Sequence, residues 1–157
     1  ISWFGALYIG LLMGYIWKLS TLENHFWIIL FAFLLTWASD TGAYFVGKHW
    51  GKRRLGPKLS PSKTWEGFVG GFLATILISL TGFWILPGFS CYHYISLGIA
   101  VGLAAPVGDL FASGIKRGFS IKDFGRLIPG HGGVLDRMDS FMCVAPLVYF
   151  FMLQWGG

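Results

Sequence analysis

Asp109, Ser113 and Lys116 fall at i, i+4 and i+7, a spacing that puts all three on one side of an α-helix. Asp136 and Asp139 fall at i and i+3 and share a helix face in the same way. One carboxylate, one hydroxyl and a further pair of carboxylates offer only hard oxygen ligands. Such a set suits Mg²⁺, which takes one or two carboxylates and completes its shell with water and substrate phosphates. Lys116, Arg117 and Arg137 stand beside these carboxylates and would repel a bare cation. They make sense together with anionic phosphate. Interhelical ion pairs, such as Asp136 with Arg117, are the competing reading of the same spacing.

A second candidate is the stretch Ser60-Pro-Ser-Lys63-Thr64-Trp-Glu66-Gly67. Ser60 or Ser62 could cap a following helix, with Glu66 reaching back, and a helix N-terminus offers N–H groups to phosphate. Lys63 and Thr64 would add a charge and a hydroxyl. The order of a Walker A loop is missing, so a plain capped helix start competes with a phosphate cradle. His131 lies in Pro-Gly-His-Gly-Gly, where glycines permit close backbone approach to a ligand. A structural or solvent-exposed loop histidine is the alternative there. Cys91 and Cys143 have no metal-ligand or disulfide-framework spacing, and read as passive.

These residues need elements to hold them, and the composition says what kind. Of 157 residues 55% are hydrophobic and only 12% charged, about half the charged share of a soluble domain. A water-facing surface could not be covered, so the bilayer is the natural solvent. Five apolar runs approach the ~20 residues that a span requires, at 1–17, 26–46, 67–89, 94–112 and 138–155. The expectation is an all-α polytopic helical bundle of about five transmembrane helices, forming one membrane domain over 1–157. The start inside an apolar run, with no Met and no signal-peptide n-region, predicts that this is the C-terminal part of a longer protein.

Net charge is +5, gathered in two connections. Residues 47–66 carry Lys48, Lys52, Arg53, Arg54, Lys58 and Lys63, and residues 113–137 carry Lys116, Arg117, Lys122, Arg126 and Arg137. Two spans separate them, so both lie on one face, and the positive-inside rule makes that face cytoplasmic. Asp40, Asp109, Asp136 and Asp139 then all sit near the cytoplasmic ends of their helices, where one cavity could collect them. Ionisable groups at membrane depth are functional suspects by default. A nucleic-acid binder would show a basic stripe on a soluble fold, so nucleic acid is excluded as a partner. Gly10-x-x-x-Gly14, Gly67-x-x-x-Gly71 and Gly98-x-x-x-Gly102 have the spacing that lets helices approach in lipid. The pattern allows a homodimer without requiring one, since contacts within a chain use the same spacing.

The run Ser113-Gly-Ile-Lys116-Arg117, then Lys122-Asp123-Phe-Gly, then Ile-Pro-Gly-His131-Gly-Gly-Val-Leu-Asp136-Arg137-Met-Asp139 resembles the signature of CDP-diacylglycerol synthases, the phosphatidate cytidylyltransferases. Ser39-Asp40-Thr-Gly-Ala-Tyr44 and the Ser60–Gly67 stretch resemble further elements of that family in the expected order. The chain departs from the commoner pattern at Ser62, where Lys is usual, and at Ala112, where Glu is usual.

The resemblance implies that CTP and phosphatidic acid react to give CDP-diacylglycerol and pyrophosphate, at an inner (plasma) membrane, with the site facing the cytoplasm. It implies Mg²⁺ and allows a second ion, divalent or K⁺. Asp109 and Asp136 would be the leading metal ligands, with Asp139, Asp123 and Ser113 near them. The catalytic set would be Asp109, Lys116, Asp136 and Arg137, with Lys116, Arg117 and Arg137 on phosphate oxygens. Lys63 and its loop, Ser60, Thr64 and Glu66, would take the triphosphate. Asp40 and Tyr44 would line the cavity wall, and Lys122 and His131 would contact substrate. Two other classes stay open: a CTP-dependent kinase of a polyprenol or other lipid alcohol, and a cation channel or transporter using the intramembrane carboxylates.

Overall fold

The computed structural model describes residues 2–56, 60–119, 121 and 134–155, with side chains described over 10–55, 63–119, 121 and 138–155. Its helices are α1 (Ser2–Ser20), α2 (His25–Trp50), α3 (Trp65–Ser79), α4 (Gly82–Ile85), α5 (Cys91–Gly118) and α6 (Val134–Trp155). Each of the five apolar runs is represented by a helix among the described residues, the third being shared by α3 and α4 and running four residues past the end of α4. Among the described residues four helical segments are long and apolar enough to cross a membrane: His25–Trp50, Trp65–Ile85, Cys91–Gly118 and Met138–Trp155. The helix α1, whose side chains are described only from Gly10, stands outside that count. The chain is a helical polytopic membrane protein.

Helix ends extend the apolar runs in a consistent direction. Helix α5 continues to Gly118, so Asp109, Ser113 and Lys116 are helical as their spacing requires. Helix α6 begins at Val134, so Asp136 and Asp139 also lie on one helix. Lys48 and His49 close α2, and Lys116 and Arg117 close α5, the favourable end for cations in the helix field. One departure from an all-helical chain lies between α2 and α3. There β1 (Arg54–Gly56) and β2 (Ser60–Thr64) pair antiparallel, with Arg54 opposite Thr64.

The tightest helix contact, α2 on α3, is built from small residues. A Cβ added to Gly42 would come within 2.6 Å of the Ala74 Cβ, and one on Gly71 within 2.5 Å of the Ser39 carbonyl oxygen. Both are closer than real atoms approach, so the two backbones meet only because these side chains are absent. Gly98 and Gly102 do the same for α5 against α3, at Ser79 and Phe72. The Gly10/Gly14 pair is different: open space surrounds both, and the described chain makes no use of it.

Deeper in the bundle Leu19, Phe31, Leu35, Tyr94, Val101, Phe141, Val144 and Val148 are buried together. Phe33 stacks on Phe141 with centroids 4.0 Å apart. Hydroxyls in the spans are satisfied by their own helices: Thr36 donates to the Ala32 carbonyl at 2.9 Å and Thr75 to the Gly71 carbonyl at 2.8 Å. That is the arrangement a solvent without hydrogen-bonding groups demands. Leu73, Leu77, Val107 and Phe150 point outward and are exposed, as side chains facing lipid would be.

Candidate active site

The chain alternates direction, so the C-terminal ends of α2 and α5 meet the N-terminal ends of α3 and α6 at one face of the bundle. A cavity of about 740 Å³ opens there. Asp40, Tyr44 and Lys48 reach it from α2, Lys63 and Thr64 from β2, Asp109 and Lys116 from α5, and Asp139 from α6. Trp37, Phe68 and Pro106 supply apolar wall.

Among the described residues two ion pairs organise the charge. The Lys63 ammonium meets the Asp109 carboxylate, linking the ribbon to α5. The Lys116 ammonium lies 3.6 Å from Asp139, linking α5 to α6, with both side chains about nine-tenths buried. Asp139 is fixed further by the Ser140 backbone N–H, which donates to its Oδ1 at 2.8 Å. Asp40, Asp109 and Asp139 lie within range of one another's charge, and Lys63 within range of all three. Breaking a buried pair by removing one partner typically costs about 3–5 kcal/mol, so Lys116 and Asp139 hold each other in place.

Backbone features set these positions. Gly108 precedes Asp109, and a Cβ there would stand 2.7 Å from the Cys143 sulfur. That glycine lets α5 and α6 approach closely enough for Asp109 and Asp139 to share a cavity. Pro106 has no N–H, so the α5 ladder loses one bond a turn before Asp109. On the other side Gly67 packs under Ala43, where a Cβ on Gly67 would stand 2.7 Å from the Ala43 carbonyl oxygen, and this brings the start of α3 against the end of α2.

The helix α3 start differs from expectation in its cap. Thr64 is the N-cap, its hydroxyl accepting from the Gly67 N–H at 3.1 Å, and Ser60 and Ser62 precede it in the strand. Glu66 does not line the cavity. Its carboxylate accepts from the Lys52 N–H at 3.1 Å and the Arg53 N–H at 3.2 Å, while the Trp65 N–H donates to the Arg53 carbonyl at 2.9 Å. Glu66 thus clasps the basic ribbon to α3. The Trp65 and Gly67 N–H groups that a phosphate cradle would need are already bonded within the chain.

Of the residues singled out from sequence, Asp40, Tyr44, Lys63, Thr64, Asp109, Lys116 and Asp139 come together in the cavity. Ser113 is half-buried on the same helix and is not part of the lining, and Arg117 is exposed at the end of α5. The backbones of Ser60, Asp136 and Arg137 are placed in β2 and α6, but their side chains lie outside the described set. Lys122, Asp123 and His131 lie outside the described residues. Sequence reasoning left Lys48 among the loop charges. Its signal was the helical interval: Lys48 follows Tyr44 by four residues and Asp40 by eight.

The donor set fits a divalent cation of the Mg²⁺ type, held by one or two carboxylates with phosphate oxygens and water completing its shell. Asp109 and Asp139 are placed to serve. Among the described residues no group of three or more His, Cys, Asp or Glu side chains converges as an all-protein metal cage.

Comparison with known proteins decides the kinship, because a match to the Cytidylyltransferase family runs over residues 1–155. The chain belongs to that family. Relatives named phosphatidate cytidylyltransferase include one from Staphylococcus aureus (strain COL), 43% identical over 149 residues. Another, from Staphylococcus saprophyticus, is 44% identical over 149 residues. A third, from Staphylococcus haemolyticus, is 40% identical over 148 residues. Each alignment covers 94% of this chain and 56% of the relative, so the chain spans a little over half the length of these family members.

Proposed function

We propose that this chain carries the reaction site of a phosphatidate cytidylyltransferase, which joins CTP to phosphatidic acid to give CDP-diacylglycerol and pyrophosphate. The observation that carries this reading is one cavity, at the basic end of a membrane bundle, where Lys63 and Lys116 are interleaved with Asp109 and Asp139. The names of the relatives support it. A bare-cation pathway would gain nothing from the lysines, whereas bound phosphates need both signs of charge.

In this reaction an oxygen of the lipid phosphate attacks the α-phosphorus of CTP. The bond from that phosphorus to the bridging oxygen of the β-phosphate breaks, and pyrophosphate leaves with the electron pair. Phosphoryl-type transfer depends mainly on positioning and on neutralising charge. Bound Mg²⁺ would neutralise phosphate charge and stabilise the leaving group. Asp109 and Asp139 would hold it, with Asp136 one turn earlier on α6. Lys63 and Lys116 would exchange their carboxylate partners for oxygens of the triphosphate. Trp37, Phe68 and Pro106 would keep water from the α-phosphorus.

The face bearing β1, β2 and the end of α5 is assigned to the cytoplasm, because residues 47–66 and 113–137 hold most of the basic charge. Single cysteines replacing Lys52 and Lys122 should both label from that side only, and labelling from opposite sides would overturn the orientation. The activity is tested with the purified protein in mixed micelles containing phosphatidic acid. A divalent-dependent, equimolar appearance of CDP-lipid and pyrophosphate from CTP is expected. No CDP-lipid from a folded, monodisperse sample would defeat the reading.

A further inference from the structure

Among the described residues three lysines line the charged cavity, and one differs from the other two. Lys63 and Lys116 each face a carboxylate, Asp109 and Asp139. Lys48 makes no ion pair among the described residues. Its ammonium lies 3.4 Å from the Tyr44 hydroxyl and 5.5 Å from the centre of the Tyr44 ring. Among the described residues no carboxylate is paired with this cavity-lining cation.

Its position is also different. Trp37, Asp40, Tyr44 and Lys48 fall at i, i+3, i+7 and i+11 along α2, so they form one stripe on one helix face, and all four line the cavity. Trp37 and Tyr44 are 59% and 60% exposed, and Phe45 beside them is 56% exposed. The stripe runs from an aromatic, outward-facing stretch of the span to the basic end of the helix. Lys48 lies eight residues beyond Asp40, or about 12 Å along the axis, clear of the strongest repulsion an anion would meet from that carboxylate. A lipid phosphate has this profile: an anion at the membrane interface with an apolar body running back along the span.

We propose that Lys48, with the Tyr44 hydroxyl, receives the phosphate of the lipid substrate at the rim of the cavity. The site is then divided, with Lys63 and Lys116 toward the nucleotide and Lys48 with Tyr44 toward the lipid. This rests on the cytidylyltransferase reading. The same cation could instead meet a nucleotide phosphate, and kinetics separates the two sources.

The test is surface-dilution kinetics of Lys48→Gln in mixed micelles, varying phosphatidic acid and CTP independently. The apparent KM for phosphatidic acid should rise roughly tenfold or more, the scale of one charge-assisted phosphate contact, while that for CTP stays within about twofold. Tyr44→Phe should shift the same parameter less, and Lys48→Arg should restore it. A rise in the CTP parameter alone would assign Lys48 to the nucleotide, and no change in either would make it a solvated anchor; both results overturn the proposal. A second measurement needs neither a variant nor turnover. In the unmodified protein, phosphatidic acid micelles should slow acetylation of Lys48 by an amine reagent, read by mass spectrometry, relative to phosphatidylcholine micelles. Equal rates would overturn the proposal. Failure of the wild-type protein to form CDP-lipid would instead defeat the cytidylyltransferase reading, a result these acetylation rates do not depend on.

Discussion

The bundle is concave at both ends, and the two hollows are unlike. The one between α2, β2, α5 and α6 measures about 740 Å³ and is lined by Asp40, Lys48, Lys63, Asp109, Lys116 and Asp139. The one at the opposite end is larger, about 920 Å³, and its lining holds a single charged side chain, Glu23, among Trp27, Leu86, Phe89 and Trp155. Volume would choose the second. Chemistry chooses the first, because carboxylates and lysines are gathered there at the end of the spans, and ionisable groups at membrane depth mark functional sites. The far end uses its polar groups for local structure. The Tyr94 hydroxyl donates to the Leu86 carbonyl, and the Ser90 N–H donates to His93 Nδ1 at 3.2 Å to start α5.

The sharpest way to break this contrast is to neutralise one carboxylate at each end. Asp109→Asn keeps the shape and removes the charge. It should cut turnover per folded molecule by roughly a hundredfold or more, the scale of losing a metal-held charge. Glu23→Gln should leave turnover within about twofold. Comparable losses in both, on protein of matched folded fraction, would erase the distinction.

A smaller effect is expected where backbone approach, not charge, positions the site. Gly71→Val would push a branched side chain into the Ser39 carbonyl across the α2–α3 contact. Overpacking of this kind costs about 1–3 kcal/mol, visible as a lower thermal midpoint. At Gly10, where nothing lies within 4 Å, the same change should shift the midpoint much less. Equal shifts would contradict the packing described for α2 and α3.

Glu66→Gln tests the clasp. It weakens the acceptor for the Lys52 and Arg53 N–H groups without touching the cavity lining. The apparent KM for CTP should rise by about three- to tenfold, the scale of weakened charge-assisted hydrogen bonds, with kcat little changed. A fall in kcat with KM constant would put Glu66 in the chemistry itself. At the far end Tyr94→Phe should cost about 1 kcal/mol of stability, one buried hydrogen bond, and leave turnover unchanged.

How much of this was legible in sequence depended on the kind of signal. Helical periodicity put Asp109 and Lys116 on one face of α5, because an i, i+7 spacing survives folding unchanged, and the alternation of spans brought Asp139 of α6 to the same end. Counting two spans between the basic connections put the ribbon and the end of α5 at one end of the bundle. The partners within the cavity were not legible. That Lys63 meets Asp109 and Lys116 meets Asp139 depends on how α5 sits against α6 and the ribbon. That geometry is set by Gly108, which reads in sequence as one glycine among 23. The β-ribbon was missed because its two strands, Arg-Leu-Gly and Ser-Pro-Ser-Lys-Thr, are too short to show an apolar and polar alternation. Glu66 looked like a capping residue from its spacing, and its real acceptor role comes from a strand pairing that spacing does not encode.

The central claim is that the charged end moves a cytidylyl group onto a lipid phosphate. It is tested most directly by following two labels, with the protein reconstituted in vesicles of phosphatidic acid and given CTP carrying ³²P at either the α or the γ position. The account predicts that α label enters the organic-soluble lipid while γ label appears only in water-soluble pyrophosphate. γ label in the lipid, with CDP released, would mean transfer of the terminal phosphoryl group to a lipid acceptor and would contradict it.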